Sequence, residues 1–300
     1  MIEKITLSEL QKNLDFFHKM YDMVRIIDPI HKSVIEYRSS GTMQTSETCF
    51  AYWGNDRICD NCISMRAYRE QKSFMKLEHN PDAVMLVTAV PIDSAQQPVV
   101  LELLKNATDT MMIGEGAFYK GDILFNAVQD MSDMIIRDEL TSIYNRRFLD
   151  ERLPSDIVTA ITRQTPLSLI FIDIDNMKIA NDTIGHAAGD KLLIHTSKII
   201  EENIRSKTDW VARYGGDEFV VCLNHADNEA ALRVSKQIED GFQSAALSVQ
   251  DSEITIKASF GVVTMPESGL TAAELIDLAD KRMYASKKRH KKAIEDLEKH

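Results

Sequence analysis

The sequence predicts an α+β fold, and three observations carry the prediction. LSLIFIDID (167–175) is an apolar run of strand length that closes in carboxylates. WVARYGGDEFVVCLN (210–224) reads as two strands around a tight glycine turn. Helical stretches separate and follow these runs, and the resulting order βαββαβ, with helices on one face, is the ferredoxin-like split βαβ motif. A chain of 300 residues suggests two domains.

From the N-terminus, VRIID (24–28) and SVIEY (33–37) flank Pro29 and read as two strands across a turn. ICDNCISMRAYREQK (58–72) has the polarity of a surface helix, and AVMLVTAVPI (83–92) and PVVLELLK (98–105) are longer strands. Residues 1–112 thus form a small α+β domain with a mainly antiparallel sheet. Residues 113–137 form a helical linker: in FNAVQDMSDMIIRDEL (125–140), Val128, Met131, Met134 and Ile135 recur at three- and four-residue steps. That face either packs on its own domain or pairs as a coiled coil. Residues 138–300 hold the βαββαβ unit. GDKLLIHTSKIIEENI (189–204) is an amphipathic helix, and another spans about 226–244. IKASFGVVT (256–264) is a strand, and TAAELIDLADKRMYASKKR (271–289) a final helix, opened by Thr271 with Glu274 in a capping-box pattern.

The net charge of -11 argues against a broad nucleic-acid-binding surface. It leaves room for an anionic substrate, because a lysine or a metal ion reverses the field locally. No apolar stretch approaches the roughly 18 residues of a membrane helix, and the opening MIEKITLSELQKN is too polar for a signal peptide. Four cysteines do not make a secreted disulfide framework in a chain of this size. A cytoplasmic protein with neither nucleic acid nor membrane as partner is expected.

The chemistry concentrates in two places. A two-residue hairpin loop wants positive φ at both central positions, which suits Gly215 and Gly216 and makes Tyr214 and Asp217 the flanking strand residues. Asp173 and Asp175 sit two apart, on one strand face with Phe171, where they repel each other unless the strand end is exposed or a cation holds them. With Asp217 at a hairpin mouth, carboxylates converging from a strand end and a turn suit Mg²⁺.

RYGGDEF (213–219), FIDIDNMKIANDTIGHAAGD (171–190), DELTSIYNRRFL (138–149) and ASFGVV (258–263) resemble the GGDEF-domain diguanylate cyclases, over about 150 residues and in the family's order. The resemblance implies the nucleotide-cyclase palm fold and the condensation of two GTP into cyclic di-GMP with release of pyrophosphate. It implies Asp173 and Asp217 as ligands of Mg²⁺ (or Mn²⁺), with the Ile174 carbonyl as a further oxygen. Asp217 or Glu218 would help deprotonate the attacking 3′-hydroxyl. Asn181 and Asp190 would read guanine, the aspartate accepting from N1–H and N2–H₂. Lys281 matches a lysine that meets the terminal phosphates, and Lys178 another basic position. One site holds one GTP, so the resemblance also implies a homodimer with facing sites.

The sequence departs from that pattern in three ways. Ala285 stands where many relatives carry a second basic group, with Lys287 and Lys288 nearby. Met177 replaces an aromatic. The inhibitory product motif RxxD reads Ser206 to Asp209 in SKTD, with Arg205 one residue early, so feedback inhibition through it is expected to be weak or absent. The alternative to an enzyme is an inert GGDEF domain that binds GTP or cyclic di-GMP.

YDMVRIIDPIHKSVI, TAVPID and PVVLELLKNATD are similar to a PAS sensor domain, implying a PAS-like N-terminal sensor. CFAYWGNDRICDNC brings Cys49, Cys59 and Cys62 together. They read as small core hydrophobes, as a zinc site with His31 or His79 as fourth ligand, or as a redox group. Cys222 reads as core.

Overall fold

The computed structural model describes residues 6–38, 41–54, 58–80, 82–94, 97–108, 110–113, 117–118, 134–244, 246–249, 252–265 and 270–298. The chain divides into two compact units, Met1–Asp133 and Met134–His300.

The first unit is a six-stranded antiparallel sheet of order β3-β2-β1-β6-β5-β4. Its strands are β1 (Met23–Asp28), β2 (Ser33–Arg38), β3 (Gly41–Thr48), β4 (Phe74–His79), β5 (Val84–Ile92) and β6 (Val99–Asn106). Side chains alternate across the central strands. Ile26, Leu101 and Leu103 pack under Leu10 of helix α1 (Leu7–Met20). Val100 and Leu104 pack with Trp53 and with Ile63 and Ala67 of α2 (Ile63–Glu70). The stretch expected to be a surface helix therefore starts later, at Ile63, and buries one face against the sheet. Two short strands follow, β7 (Met112–Ile113) and β8 (Ala117–Phe118).

Most of the expected linker helix lies outside the described residues. Of its apolar face, Met134 and Ile135 are exposed, while the adjacent Ile136 is buried in the second unit.

The second unit has a five-stranded sheet of order β15-β10-β12-β11-β9. It comprises β9 (Tyr144–Asn145), β10 (Leu167–Ile174), β11 (Trp210–Arg213), β12 (Glu218–Asn224) and β15 (Ala258–Thr264); β13 (Ala246–Val249) and β14 (Ser252–Thr255) form a separate hairpin. The four strands of the βαββαβ unit run antiparallel in the order expected of the split βαβ motif. The helices are α3 (Arg146–Arg163), α4 (Met177–Ile184), α5 (His186–Glu202), α6 (Asn228–Ser244) and α7 (Ala272–Glu298).

The helices inside the βαββαβ unit, α5 and α6, lie on one face of the sheet, as the sequence suggested, while α3 and α7, which flank the unit, cover the other. Ile170, Ile172 and Phe219 point toward Leu192 and Ile200 of α5 and Ile238 and Phe242 of α6. Leu169, Phe171 and Val220 point the other way, toward Leu149 and Leu153 of α3 and Leu275 and Met283 of α7. Every residue of β10 is buried in consequence, which is why its sequence is a continuous apolar run rather than an alternating one. The Thr271–Glu274 capping box forms as expected, with the Thr271 amide donating to Glu274 Oε2 at 2.9 Å and the Glu274 amide to Thr271 Oγ1 at 3.3 Å.

Candidate active site

Strand register assembles the carboxylates. Asp173 is directly opposite Glu218 on β12 and opposite Ser259 on β15. Like charges directly opposite each other in a sheet are destabilising, so two acids in this register carry a cost that packing does not explain. The Ile174 amide donates to the carbonyl of Asp217 at 3.1 Å, which brings the backbones of the expected metal-binding residues together. Asp175 lies just past the end of β10, where its carboxylate accepts from Ser259 Oγ at 3.0 Å.

Burial pushes the Asp173 carboxyl above the usual range; Lys287 opposes that shift, while Asp217 and Asp175 add to it. The Glu218 carboxyl is also raised, first by burial and then by Asp173, Asp217 and Asp280. The cation meeting this cluster is Lys287 of α7, whose Nζ lies 2.5 Å from Asp173 Oδ1 and 3.9 Å from Asp175 Oδ1. Burial works against the Lys287 charge, but its hydrogen bond to Asp173 and the charges around it prevail, so its affinity for a proton rises.

The turn differs from the expectation. Arg213 pairs with Phe219, and the Tyr214 amide donates to the Glu218 carbonyl at 2.8 Å. Three residues, Gly215 to Asp217, therefore form the loop, and neither glycine has the positive φ a two-residue hairpin would require. Gly215 provides room, since a Cβ there would lie 2.5 Å from Glu218 Oε2, whereas one on Gly216 would meet open space. Arg213 holds the turn, donating from Nη2 to the Gly216 carbonyl at 2.7 Å and from Nη1 to Asp138 Oδ1 at 3.0 Å. Sequence reasoning gave this arginine no role, although it directly precedes the turn and Asp138 opens the DELT stretch.

Asn181, on α4, is half-buried, and its Oδ1 is buried without a hydrogen-bond partner. Gly189 on α5 makes room for it, since a Cβ there would fall 1.9 Å from that oxygen. Asp190, one residue on, is exposed. An unpaired acceptor and an exposed carboxylate near the α4–α5 junction are a pair that a ligand with several N–H donors could satisfy. Gly185, between the two helices, has φ 85°, a backbone only glycine adopts readily.

Lys281 is exposed and pairs with Asp277 one turn earlier, 2.5 Å away. Lys178 lies in α4, with its side chain outside the described residues. A cavity of about 460 Å³ lies beside the turn, lined by Phe171, Tyr214, Glu218 and Asp280 with Arg146 and Asp277. The Arg146 guanidinium stacks 4.3 Å over the Tyr214 ring.

Ser206 stands at the first position of the expected RxxD motif, and Arg205, one residue before it, is already engaged. It forks onto Asp209, with Nε 2.8 Å from Oδ2 and Nη2 2.8 Å from Oδ1, and also donates to the Asn224 carbonyl.

In the first unit, Cys49 is buried and Cys59 and Cys62 are half-buried, all as free thiols. Burial raises the Cys49 thiol well above the usual range, helped by Cys62, Glu102 and Cys59. Burial likewise pushes Cys59 up to about 12, with Lys76 opposing and Cys62 contributing. The three thiols thus lie within electrostatic reach of one another. Beside them, Arg25 and Glu102 form a buried pair 2.5 Å apart, and Ser64 donates to the same carboxylate. Cys222 is fully buried in the core, as expected. Among the described residues, no group of three or more His, Cys, Asp or Glu is placed to hold a metal ion. The acid cluster offers a different donor set, two carboxylates and a main-chain oxygen, and the mutual repulsion of its acids together with a cation already drawn to it fits a divalent ion.

No helix among the described residues is long and apolar enough to cross a membrane. Residues 135–293 match the family described as Diguanylate cyclase, GGDEF domain. The diguanylate cyclase DosC of Escherichia coli K12 is 36% identical over 159 residues, covering 53% of this chain and 34% of DosC. The diguanylate cyclase TpbB of Pseudomonas aeruginosa UCBPP-PA14 is 37% identical over 152 residues, covering 50% of this chain and 35% of TpbB. The match thus spans about a third of these curated relatives. Among solved structures, diguanylate cyclase SiaD of Pseudomonas aeruginosa, crystallised with its activator SiaC, aligns with a TM-score of 0.51 at 28% identity over 56% of this chain and 64% of that one. The coiled coil and GGDEF domain of DgcB from Caulobacter crescentus, crystallised with c-di-GMP, shares the fold with a TM-score of 0.52 at 24% identity, over 56% of this chain and 88% of that one. The turn, the carboxylate register and the family match converge, and the chain belongs to the GGDEF-domain family of diguanylate cyclases.

Proposed function

We propose that the chain is a diguanylate cyclase, condensing two GTP into cyclic di-GMP and pyrophosphate as a homodimer regulated by its N-terminal, PAS-like sensor unit. The observation that carries the reading is the register of Asp173 against Glu218, with Asp217 at the adjoining turn. An arrangement that costs stability for no structural return suits a site whose substrate brings cations with it.

Asp173 and Asp217, with the Ile174 carbonyl, would hold Mg²⁺ or Mn²⁺. The ion, when bound, supplies charge neutralisation at the triphosphate as a 3′-hydroxyl attacks an α-phosphorus. Asn181 and Asp190 orient the guanine through its N–H groups. Asp217 or Glu218 accepts the proton of the attacking hydroxyl; burial and neighbouring acids raise the Glu218 carboxyl toward the range of a useful base. Lys281 and Lys178 meet the departing pyrophosphate, for which Lys281 must exchange its present partner Asp277. Exposure of Met134 and Ile135 where the chain enters the catalytic unit supports pairing of two copies along the linker.

The test is incubation of purified protein with GTP and Mg²⁺ beside Asp217→Asn, with products separated by chromatography. Wild type should yield cyclic di-GMP, and the variant should be slower by about 10²-fold or more. A folded dimer that binds guanine nucleotide without turnover would instead make the chain a nucleotide-binding module.

A further inference from the structure

Four cationic side chains of α7 lie close together in sequence, and the structure sends them to different places. Lys281 pairs with Asp277 on its own helix. Arg282 donates to the Val262 carbonyl at 2.7 Å. Lys288 lies 4.5 Å over the Tyr284 ring. Lys287 alone of these four reaches the acid cluster. Helical spacing explains this: Ala279 and Met283 are buried against the sheet, and a residue four positions beyond Met283 continues that face to the rim of the strands. Ala285 faces elsewhere and carries no charge.

The Lys287 ammonium is 2.5 Å from Asp173 Oδ1. A divalent ion bound by Asp173 needs that same carboxylate. Two cations so close, with one oxygen pair between them, repel strongly, and a lysine on a four-carbon stem is the partner able to move. A triphosphate would give the displaced ammonium a new and more highly charged counterion.

We propose that Lys287 competes with the divalent ion for Asp173, suppressing metal binding until GTP arrives, and then transfers to the triphosphate. This rests on the cyclase reading above. Metal and nucleotide binding are then positively coupled, each strengthening the other by the same factor.

The coupling is measured by Mn²⁺ titration of the full chain without nucleotide, followed by electron paramagnetic resonance of the free ion. A second titration uses a non-hydrolysable GTP analogue with Mg²⁺ present. Lys287→Met should bind Mn²⁺ alone about tenfold more tightly than wild type and the analogue about tenfold more weakly. Lys287→Arg keeps the charge and should stay near wild type in the first titration. Lys287→Gln, which keeps a hydrogen-bond donor to Asp173 but no charge, serves if the methionine variant does not fold, and should follow its direction. If wild type binds both ligands and the neutral variants match it in either titration, the role assigned to Lys287 is wrong and the cyclase reading stands. If wild type binds neither and Asp173→Asn behaves identically, both fall together.

Discussion

Asp138 illustrates how single residues secure the turn. Burial alone would raise its carboxyl. Hydrogen bonds from the Thr141 hydroxyl and amide and from Arg213 outweigh that, holding it below the usual aspartate range. A folded-state pKa below the unfolded one adds stability at neutral pH that is lost as pH falls through the folded value. Asp138→Asn should therefore lower stability near neutrality by about 1–2 kcal/mol, partly screened because the site is not fully enclosed. Thermal melts of both proteins across pH should show the gap closing in acid; a gap that persists there would remove the charge from the explanation. At this scale the sequence was informative where chemistry repeats known spacings. It pointed to Asp173, Asp217 and Glu218, which the strand register brings together, and it named Lys287 only beside Lys288, because which of two adjacent lysines faces a sheet depends on helix rotation that no motif states.

Legibility at the level of elements followed burial. The strands expected from the sequence, β1, β2, β5, β6, β10, β11, β12 and β15, are central or pair with central strands. The edge strands β3 and β4 were missed: GTMQTSET is polar, and FMKLEH mixes charges into a short alternation. Helix α3 was missed because Pro154 lies inside it, where proline ordinarily ends a helix. The glycine turn was legible as a turn but not as a three-residue one, since Gly215 supplies space beside Glu218 and neither glycine supplies a positive φ. Gly261 makes the packing of elements testable. A Cβ there would come 2.0 Å from the Ala279 carbonyl and 2.4 Å from the Met283 amide, both main-chain atoms of α7 that cannot rotate aside. Gly261→Ala should destabilise the protein by about 2–3 kcal/mol, read as a lower urea midpoint; an unchanged midpoint would mean that α7 tolerates displacement from β15.

For the molecule as a whole, regulation is the open question, and Arg205 bears on it. The guanidinium that lies one residue before the expected product motif is closed onto Asp209 and the Asn224 carbonyl. Freeing it would break several charge-assisted hydrogen bonds, a cost that binding of the product would have to exceed. Progress curves should therefore stay linear as cyclic di-GMP accumulates to micromolar levels. Early curvature that Arg205→Ala abolishes would show the arginine to be released after all. Under the proposed function, control would then fall to encounters between catalytic units and to the first unit, whose thiols and buried Arg25–Glu102 pair the sequence flagged only through the cysteines. A buried charge pair formed across strands 77 positions apart leaves no trace in local spacing.

The burial of β10 on both faces has a consequence for how the protein can change over generations. Between Leu169 and Ile172 a substitution is judged by volume, because close-packed helices press on both sides. At Asp173 and just beyond, it is judged by charge, because there the strand meets the acids of its neighbours and Lys287. One short segment is thus constrained in two ways, by packing along its apolar part and by charge at its acidic end.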